Sequence, residues 1–246
     1  MALQNIFDNP EFFDGYSRLR QRAVNANNLF EIPAFLALLP DLNGKSVLDL
    51  GCGMGERCMD YIRRGAARVV GVDISENMLA AARERNAHPR IEYLRLPMEE
   101  IGGLEGPFDV VASSLAIHYV ADYAGLVRQV FGLLRSGGTF VFSQESPLNT
   151  CFSTGERWTR DAEGRKIHAN LSNYSVDGER ETRWFVDGIK KYHRSFSTVV
   201  NTLIDAGFVV QRLEEPVPTP EMAREYPEYA DLLHKPDFLL IRAGKP

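Results

Sequence analysis

The stretch Ser46-Val47-Leu48-Asp49-Leu50-Gly51-Cys52-Gly53-Met54-Gly55 decides how the rest of the chain is read. Five mostly apolar residues form a short buried strand, and three glycines at alternate positions then make a turn. The residues from Glu56 to about Arg64 have the composition of a helix. A glycine turn between a strand and a helix is a place where backbone can approach a ligand. Glycine turns tightly and has no Cβ to hold the ligand away.

The same alternation continues downstream. Arg68 to Val72 reads as a second strand closed by Asp73, and Ser75 caps a helix with Met78, Leu79 and Ala82 on one face. Ile91 to Leu96, Phe108 to Ala112 and Gly138 to Ser143 supply three more strands, and a helix from Tyr123 to Leu134 separates the last two. Such alternation predicts a parallel, doubly wound sheet that binds ligands at the carboxyl ends of its strands. Upstream, Asn9 and Pro10 open a short aromatic helix carrying Phe12, Phe13 and Tyr16, and a second helix is expected from about Asn27 to Leu39. Pro40, Asn43 and Gly44 then break the chain.

Residues 147–192 are polar and aromatic without a clear period, and too long for an ordinary connection, so they read as an insertion. A helix from Ser197 to Ala206 and strands at Phe208–Leu213 and Phe238–Arg242 resume the fold. The chain thus reads as one domain in four parts: a helical cap at 1–40, a core at 41–146, an insertion or lid at 147–192, and the rest of the sheet at 193–246.

Bulk properties narrow the function. The 246 residues carry a net charge of −5, with 44% hydrophobic and 25% charged residues. This acidic balance speaks against nucleic acid as a partner. The three cysteines, Cys52, Cys58 and Cys151, have no metal-ligand spacing, and no metal site is expected. The first residues lack a basic segment followed by an apolar one, and no apolar run approaches the roughly 20 residues needed to span a bilayer. These features together predict a cytoplasmic protein without membrane contact, either monomer or homodimer.

Two carboxylates sharpen the reading of the glycine loop. Asp73, at the end of a strand, suits the ribose hydroxyls of an adenosine, a position shared with dinucleotide-binding enzymes. Asp49 stands just before the first glycine, and the spacing is G-x-G-x-G rather than G-x-G-x-x-G. A carboxylate there would repel a pyrophosphate. It would help to hold a methionyl ligand that carries an ammonium and a sulfonium. S-adenosylmethionine is therefore favoured over a nicotinamide dinucleotide.

In these motifs the sequence resembles the class I S-adenosylmethionine-dependent methyltransferases, especially the bacterial subgroup related to ubiquinone/menaquinone C-methyltransferases. The likeness covers residues 45–145 motif by motif: VLDLGCGMG at the loop, VVGVDIS at the ribose acid, FDVVASSLAIHYV at the fourth strand and LRSGGTFVFS at the fifth. The resemblance implies an α/β, Rossmann-like fold. Its seven-stranded, mostly parallel sheet has the order 3-2-1-4-5-7-6, with helices on both faces and a cap insertion. It implies that Asp49, Gly51 and Gly53 line the methionyl group, Asp73 takes the ribose, and Ile74 and Met78 flank the adenine. The family often has Asp where this chain has Pro97, so Met98 and Glu99 are expected to cover the adenine instead. Ser114 and Leu115 would lie beside the reactive methyl, and Cys52 and Tyr16 complete the expected cofactor set.

Three groups of residues are candidates for the methyl acceptor. The run Ser113 to Tyr119 lacks the (D/N)PP(Y/F) motif of amino-methylating enzymes, and its His118 is a candidate base or a packed core histidine. The run Lys190 to Ser195 offers Tyr192 and, as first choice for an active-site group, His193. The aromatics Trp158, Tyr174, Trp184 and Phe185, with Phe12, Phe13 and Tyr16, either close over a small substrate or pin the insertion to the core. Arg20 reads as an ordinary surface arginine or as a partner for a carboxylate. The expected reaction is methyl transfer to O, N or C of a small molecule. A nucleic-acid or protein methyltransferase, a nicotinamide-dependent oxidoreductase and a binding module without turnover are the alternatives.

Overall fold

The computed structural model describes residues 3–246. Strand β1 (Ser46–Leu50) lies at the centre of a seven-stranded sheet, flanked by β2 (Arg68–Asp73) and β4 (Phe108–Ser114). Beyond β2 is β3 (Ile91–Arg95), and beyond β4 are β5 (Leu134–Glu145), β11 (Phe238–Gly244) and the edge strand β10 (Val209–Glu214). Numbered within this sheet alone the order is 3-2-1-4-5-7-6, as the resemblance implied. The first five strands are parallel, and β11 runs antiparallel to both of its neighbours.

Strand alternation sorts the core into two layers. Leu48, Leu50, Phe140 and Phe142 face one side and pack with α5 (Tyr123–Leu133) and α7 (Phe196–Asp205). Val47, Val69, Ala112 and Val141 face the other, against α2 (Ile32–Leu38), α3 (Glu56–Arg63) and Leu79 of α4 (Glu76–Arg85). Local signals fix the helix starts. The side chain of Asn9 accepts from the Phe12 amide at the start of α1 (Pro10–Arg20), and that of Ser75 accepts from Met78 at the start of α4.

Three expectations need correction. The helix predicted over Asn27–Leu39 opens with a widened π-turn at Asn27–Glu31 before α2. Pro33 has no N–H to donate into a regular turn, and the wider winding accommodates its ring. Strand β5 outlasts its predicted end because β11 pairs with it as far as Glu145. The insertion, after a short helix α6 (Pro147–Thr150), is not irregular. It folds into two antiparallel hairpins, β6 (Trp158–Arg160) with β7 (Lys166–Ala169), and β8 (Gly178–Trp184) with β9 (Val186–His193). Neither hairpin joins the main sheet. A final short helix, α8 (Pro220–Glu225), lies between β10 and β11.

The N-terminal segment is fastened to the top of α4 by one carboxylate. Asp8 accepts from Ser75 Oγ at 2.6 Å, from the Asn77 amide at 3.1 Å and from Asn5 Nδ2 at 2.6 Å. Burial pushes the Asp8 carboxyl up, but these bonds outweigh it and hold the group below its usual range. A carboxylate is also favoured at a helix N-terminus. A lowered acid stabilises the fold at neutral pH, and that contribution disappears as the pH falls through its folded-state pKa. Asp8→Asn is therefore expected to cost about 1 kcal/mol at pH 7, or about 2–4 °C in Tm. Thermal melts of the two proteins should converge as the pH is lowered from 5 towards 3.

Candidate active site

The glycine loop sits where β1 and β4 end side by side. Gly51 has φ +68°, and a Cβ on it would lie 2.5 Å from the Ala116 methyl, so the loops after β1 and β4 touch only because that position is glycine. Gly53 has φ +54°, and a Cβ there would meet no atom within 4 Å. One glycine serves packing. The other opens onto free space, as a ligand cradle requires.

Asp73 fixes this loop from β2. Its Oδ2 accepts from the Gly53 amide at 2.9 Å and its Oδ1 from the Ser75 amide at 2.9 Å. Opposite, Leu115 holds a left-handed conformation, φ +53°, rare for a branched residue. Its amide donates to Ser143 Oγ at 3.0 Å and Ser143 O at 3.1 Å, which steadies the strained turn. Met98 packs beside Gly51, its sulfur 3.8 Å from where a Cβ on that glycine would stand. Ile74 is half-buried at the end of β2, Cys52 is buried within the loop, and Glu99 follows Met98 in a 3-10 turn.

Asp49 does not point into this opening. Its oxygens accept from Cys58 Sγ and Tyr61 OH, both at 3.3 Å, so the carboxylate lies between β1 and α3. Strand alternation explains this, because Asp49 shares a face with Val47. Burial pushes its carboxyl up to about 7, against the lowering effect of those two donors. Met78 is likewise buried, packed with Met54 and Ala81 beneath Phe7, Phe13 and Tyr16.

Two further charged residues stand near these strand ends, Glu31 and Arg20. Glu31 is buried where α2 begins, and its Oε1 accepts from Ser143 Oγ at 2.5 Å and Ser114 Oγ at 2.8 Å. Its sequence signal is a lone acid in the apolar run Leu29 to Leu39, four residues before the buried Phe35. Arg20 is no ordinary surface arginine. It reaches from α1 to an ion pair with Glu56 in the first turn of α3, and its side chain is only 14% exposed. Burial drives the Tyr16 hydroxyl up; Arg20 opposes the shift, while Glu56, Asp73 and Glu31 add to it. Tyr16 precedes Arg20 by one turn of α1.

The expected catalytic residues divide. His193 is buried, with Nδ1 2.9 Å from Thr150 Oγ1 and Nε2 2.8 Å from the Tyr174 carbonyl. Both ring nitrogens are occupied, so it ties β9 to α6 rather than acting as a base. Tyr192 faces outward on β9, its hydroxyl donating to Glu179 at 3.3 Å on the neighbouring strand. His118 remains beside the strand ends. Its Nδ1 accepts from the Glu145 amide at 3.4 Å, and burial lowers the ring to about 4. Lys191, in place of its neighbours, turns inward to Glu145 at 2.5 Å, with Trp184 and Tyr119 rings 5.5 and 6.0 Å away.

A methyltransferase-domain family model matches residues 48–142. The crystal structure of an S-adenosylmethionine-dependent methyltransferase from Mesorhizobium loti is 40% identical and superposes with a TM-score of 0.79, over 89% of this chain and 97% of that one. An uncharacterized protein of Haemophilus influenzae is 38% identical over 98% of this chain and 97% of its own length. A ubiquinone biosynthesis O-methyltransferase of Neisseria meningitidis is 39% identical over 42% of this chain and 45% of its own length.

The raised Asp49 makes a prediction about the protein alone. An acid raised by folding stabilises fully below its unfolded pKa, and that contribution is lost as the pH rises through about 7. At pH 8 the buried charge is a burden that Asp49→Asn removes while keeping an oxygen for Tyr61. The variant should melt about 5 °C above the parent at pH 8, on the order of 2 kcal/mol, and no higher at pH 5. A variant that melts lower at both values would show that the charge itself supports the fold.

Proposed function

We propose that this chain, which belongs to the S-adenosylmethionine-dependent methyltransferases, methylates a small planar molecule held beneath the β8–β9 hairpin. The cofactor, when bound, supplies a methyl group on a sulfonium sulfur, already activated for displacement. The chain's own residues fit such a ligand. Free space above Gly53 leaves room for it, and buried carboxylates suit its cationic end. In this reading Gly51 to Gly53, Ser114 and Leu115 line the methionyl group, Asp73 takes the ribose, and Ile74, Met98 and Glu99 border the adenine.

One observation carries the acceptor. Tyr16, one turn before Arg20 on α1, begins an unbroken aromatic shell. Its ring is 5.2 Å from Phe7 and 6.0 Å from Trp184; Phe12 is 5.4 Å from Trp184, and Phe7 is 6.2 Å from Tyr119. Segments 3–40 and 147–192 form the cap in this reading, closed by the Lys191–Glu145 pair. Such walls exclude water and stack on a flat substrate. They suit a small molecule better than a nucleic acid or protein, as does the net charge of −5. The Neisseria relative, named for quinone biosynthesis, points the same way.

The chemistry asked of the protein is modest: hold the acceptor in line and keep the site dry. His118 serves this as a donor. A neutral imidazole that accepts at Nδ1 carries its proton on Nε2, from which it can bond an oxygen of the acceptor. The enzyme works in this reading in a reducing cytoplasm, as three buried free cysteines suit.

The test uses methyl-labelled S-adenosylmethionine with a panel of small phenols, amines and quinol precursors, alongside transfer RNA and an unmethylated cell extract. Label is expected in a small molecule. With that acceptor, Trp184→Ala should raise KM about tenfold or more while cofactor affinity stays within about threefold. Label going to RNA or protein instead would overturn the reading.

A further inference from the structure

Glu31 is a buried carboxylate that the reading of the reaction given above does not use. It is 1% exposed at the start of α2, and it meets the carboxyl ends of β4 and β5 through Ser114 and Ser143. Both hydroxyls donate to the same oxygen, Oε1, so Oε2 has no hydrogen bond among the described residues. Nor does Glu31 form an ion pair among them. The two nearby arginines are engaged elsewhere, Arg20 with Glu56 and Arg57 with Asp60 at 2.8 Å. Burial of a carboxylate is costly unless a cation matches it.

The position is built rather than incidental. The Leu115 amide donates to Ser143 Oγ, and Ser143 Oγ–H donates to Glu31. Ser113 Oγ donates to the Leu50 carbonyl at 2.8 Å and ties the same strand end to the glycine loop. A carboxyl group is thereby held by the strained turn after β4, on the sheet face that α2 and α3 cover. Arg20 reaches the first turn of α3 from α1, one helical turn past Tyr16, and its charge favours the Glu31 carboxylate.

We infer that Glu31 binds the α-ammonium of the cofactor's amino-acid end, with the α-carboxylate turned towards Arg20. The inference rests on the cofactor reading above and adds to it the group that selects an amino acid over a plain thioether. Opposite charges at the two ends of the pocket would orient the zwitterion in one direction only. Ser114 and Ser143 act as positioning residues, because they aim the carboxylate and leave one oxygen open.

Calorimetric titration with three probes tests this: S-adenosylmethionine, S-adenosylhomocysteine and 5′-methylthioadenosine. The first two share the ammonium, only the first has the sulfonium, and the third has neither. In Glu31→Gln, affinity for the first two should fall about 10–100-fold, with methylthioadenosine held within about twofold. Equal loss for all three would make Glu31 a structural residue, and loss for S-adenosylmethionine alone would assign it to the sulfonium. Either result, or no loss at all, overturns the assignment. Ser143→Ala keeps the carboxylate and removes one donor. It should reproduce the selective pattern at a few-fold scale, and a loss shared by methylthioadenosine would count against the proposal. Parent protein that binds none of the probes would remove the cofactor reading and Glu31's role with it. An intact binding pattern without an acceptor would leave Glu31's role standing and count only against the acceptor.

Discussion

The carboxylate of Asp73 is the constraint on which the upper end of this sheet depends. One oxygen holds the amide of Gly53 and the other the amide of Ser75. Without the first, the glycine loop would lose its tie to the neighbouring strand; without the second, the entry to α4 would lose its turn. Asp8 then fastens the N-terminal segment to the same helix end, and Phe7 and Tyr16 of that segment pack against Met54, Met78 and Ala81. A single strand terminus therefore organises the loop, a helix start and the seat of the N-terminal segment. Its burial raises the carboxyl, with the backbone donors pulling the other way.

The electrostatics follow from that packing. Asp49, Asp73 and Glu31 are all buried and all raised, chiefly by burial. Three acids around one loop are unfavourable by themselves, and the arginines nearby are tied to Glu56 and Asp60. A cationic ligand relieves this crowding, whereas a polyphosphate would worsen it.

What the sequence made legible was local. The strand before the loop, the caps at Asn9 and Ser75, and the alternation of elements rest on neighbours a few residues apart, and the structure has them. The hairpin β8–β9 escaped because GERETRW alternates in burial without alternating in polarity. The surroundings of His193 are hidden in the sequence for a related reason. Its partners Thr150 and Tyr174 lie 43 and 19 residues away, and only the fold brings them to both ring nitrogens. Glu31 reads in the sequence as part of a helix and nothing more, since its two serines come from strands far along the chain. The direction of Asp49 was open to deduction. Alternation along β1 puts it with Val47 on the face that α3 covers.

The two hairpins of the insertion pair only within themselves, and the seven main strands complete their ladder without them. The segment leaves after β5 and rejoins at α7, both of which belong to the core. Change within it therefore has no register to disturb in the main sheet. Descendants of such a chain can lengthen, shorten or replace the hairpins while inheriting the same sheet and glycine loop. The architecture separates what must be kept from what is free to diverge.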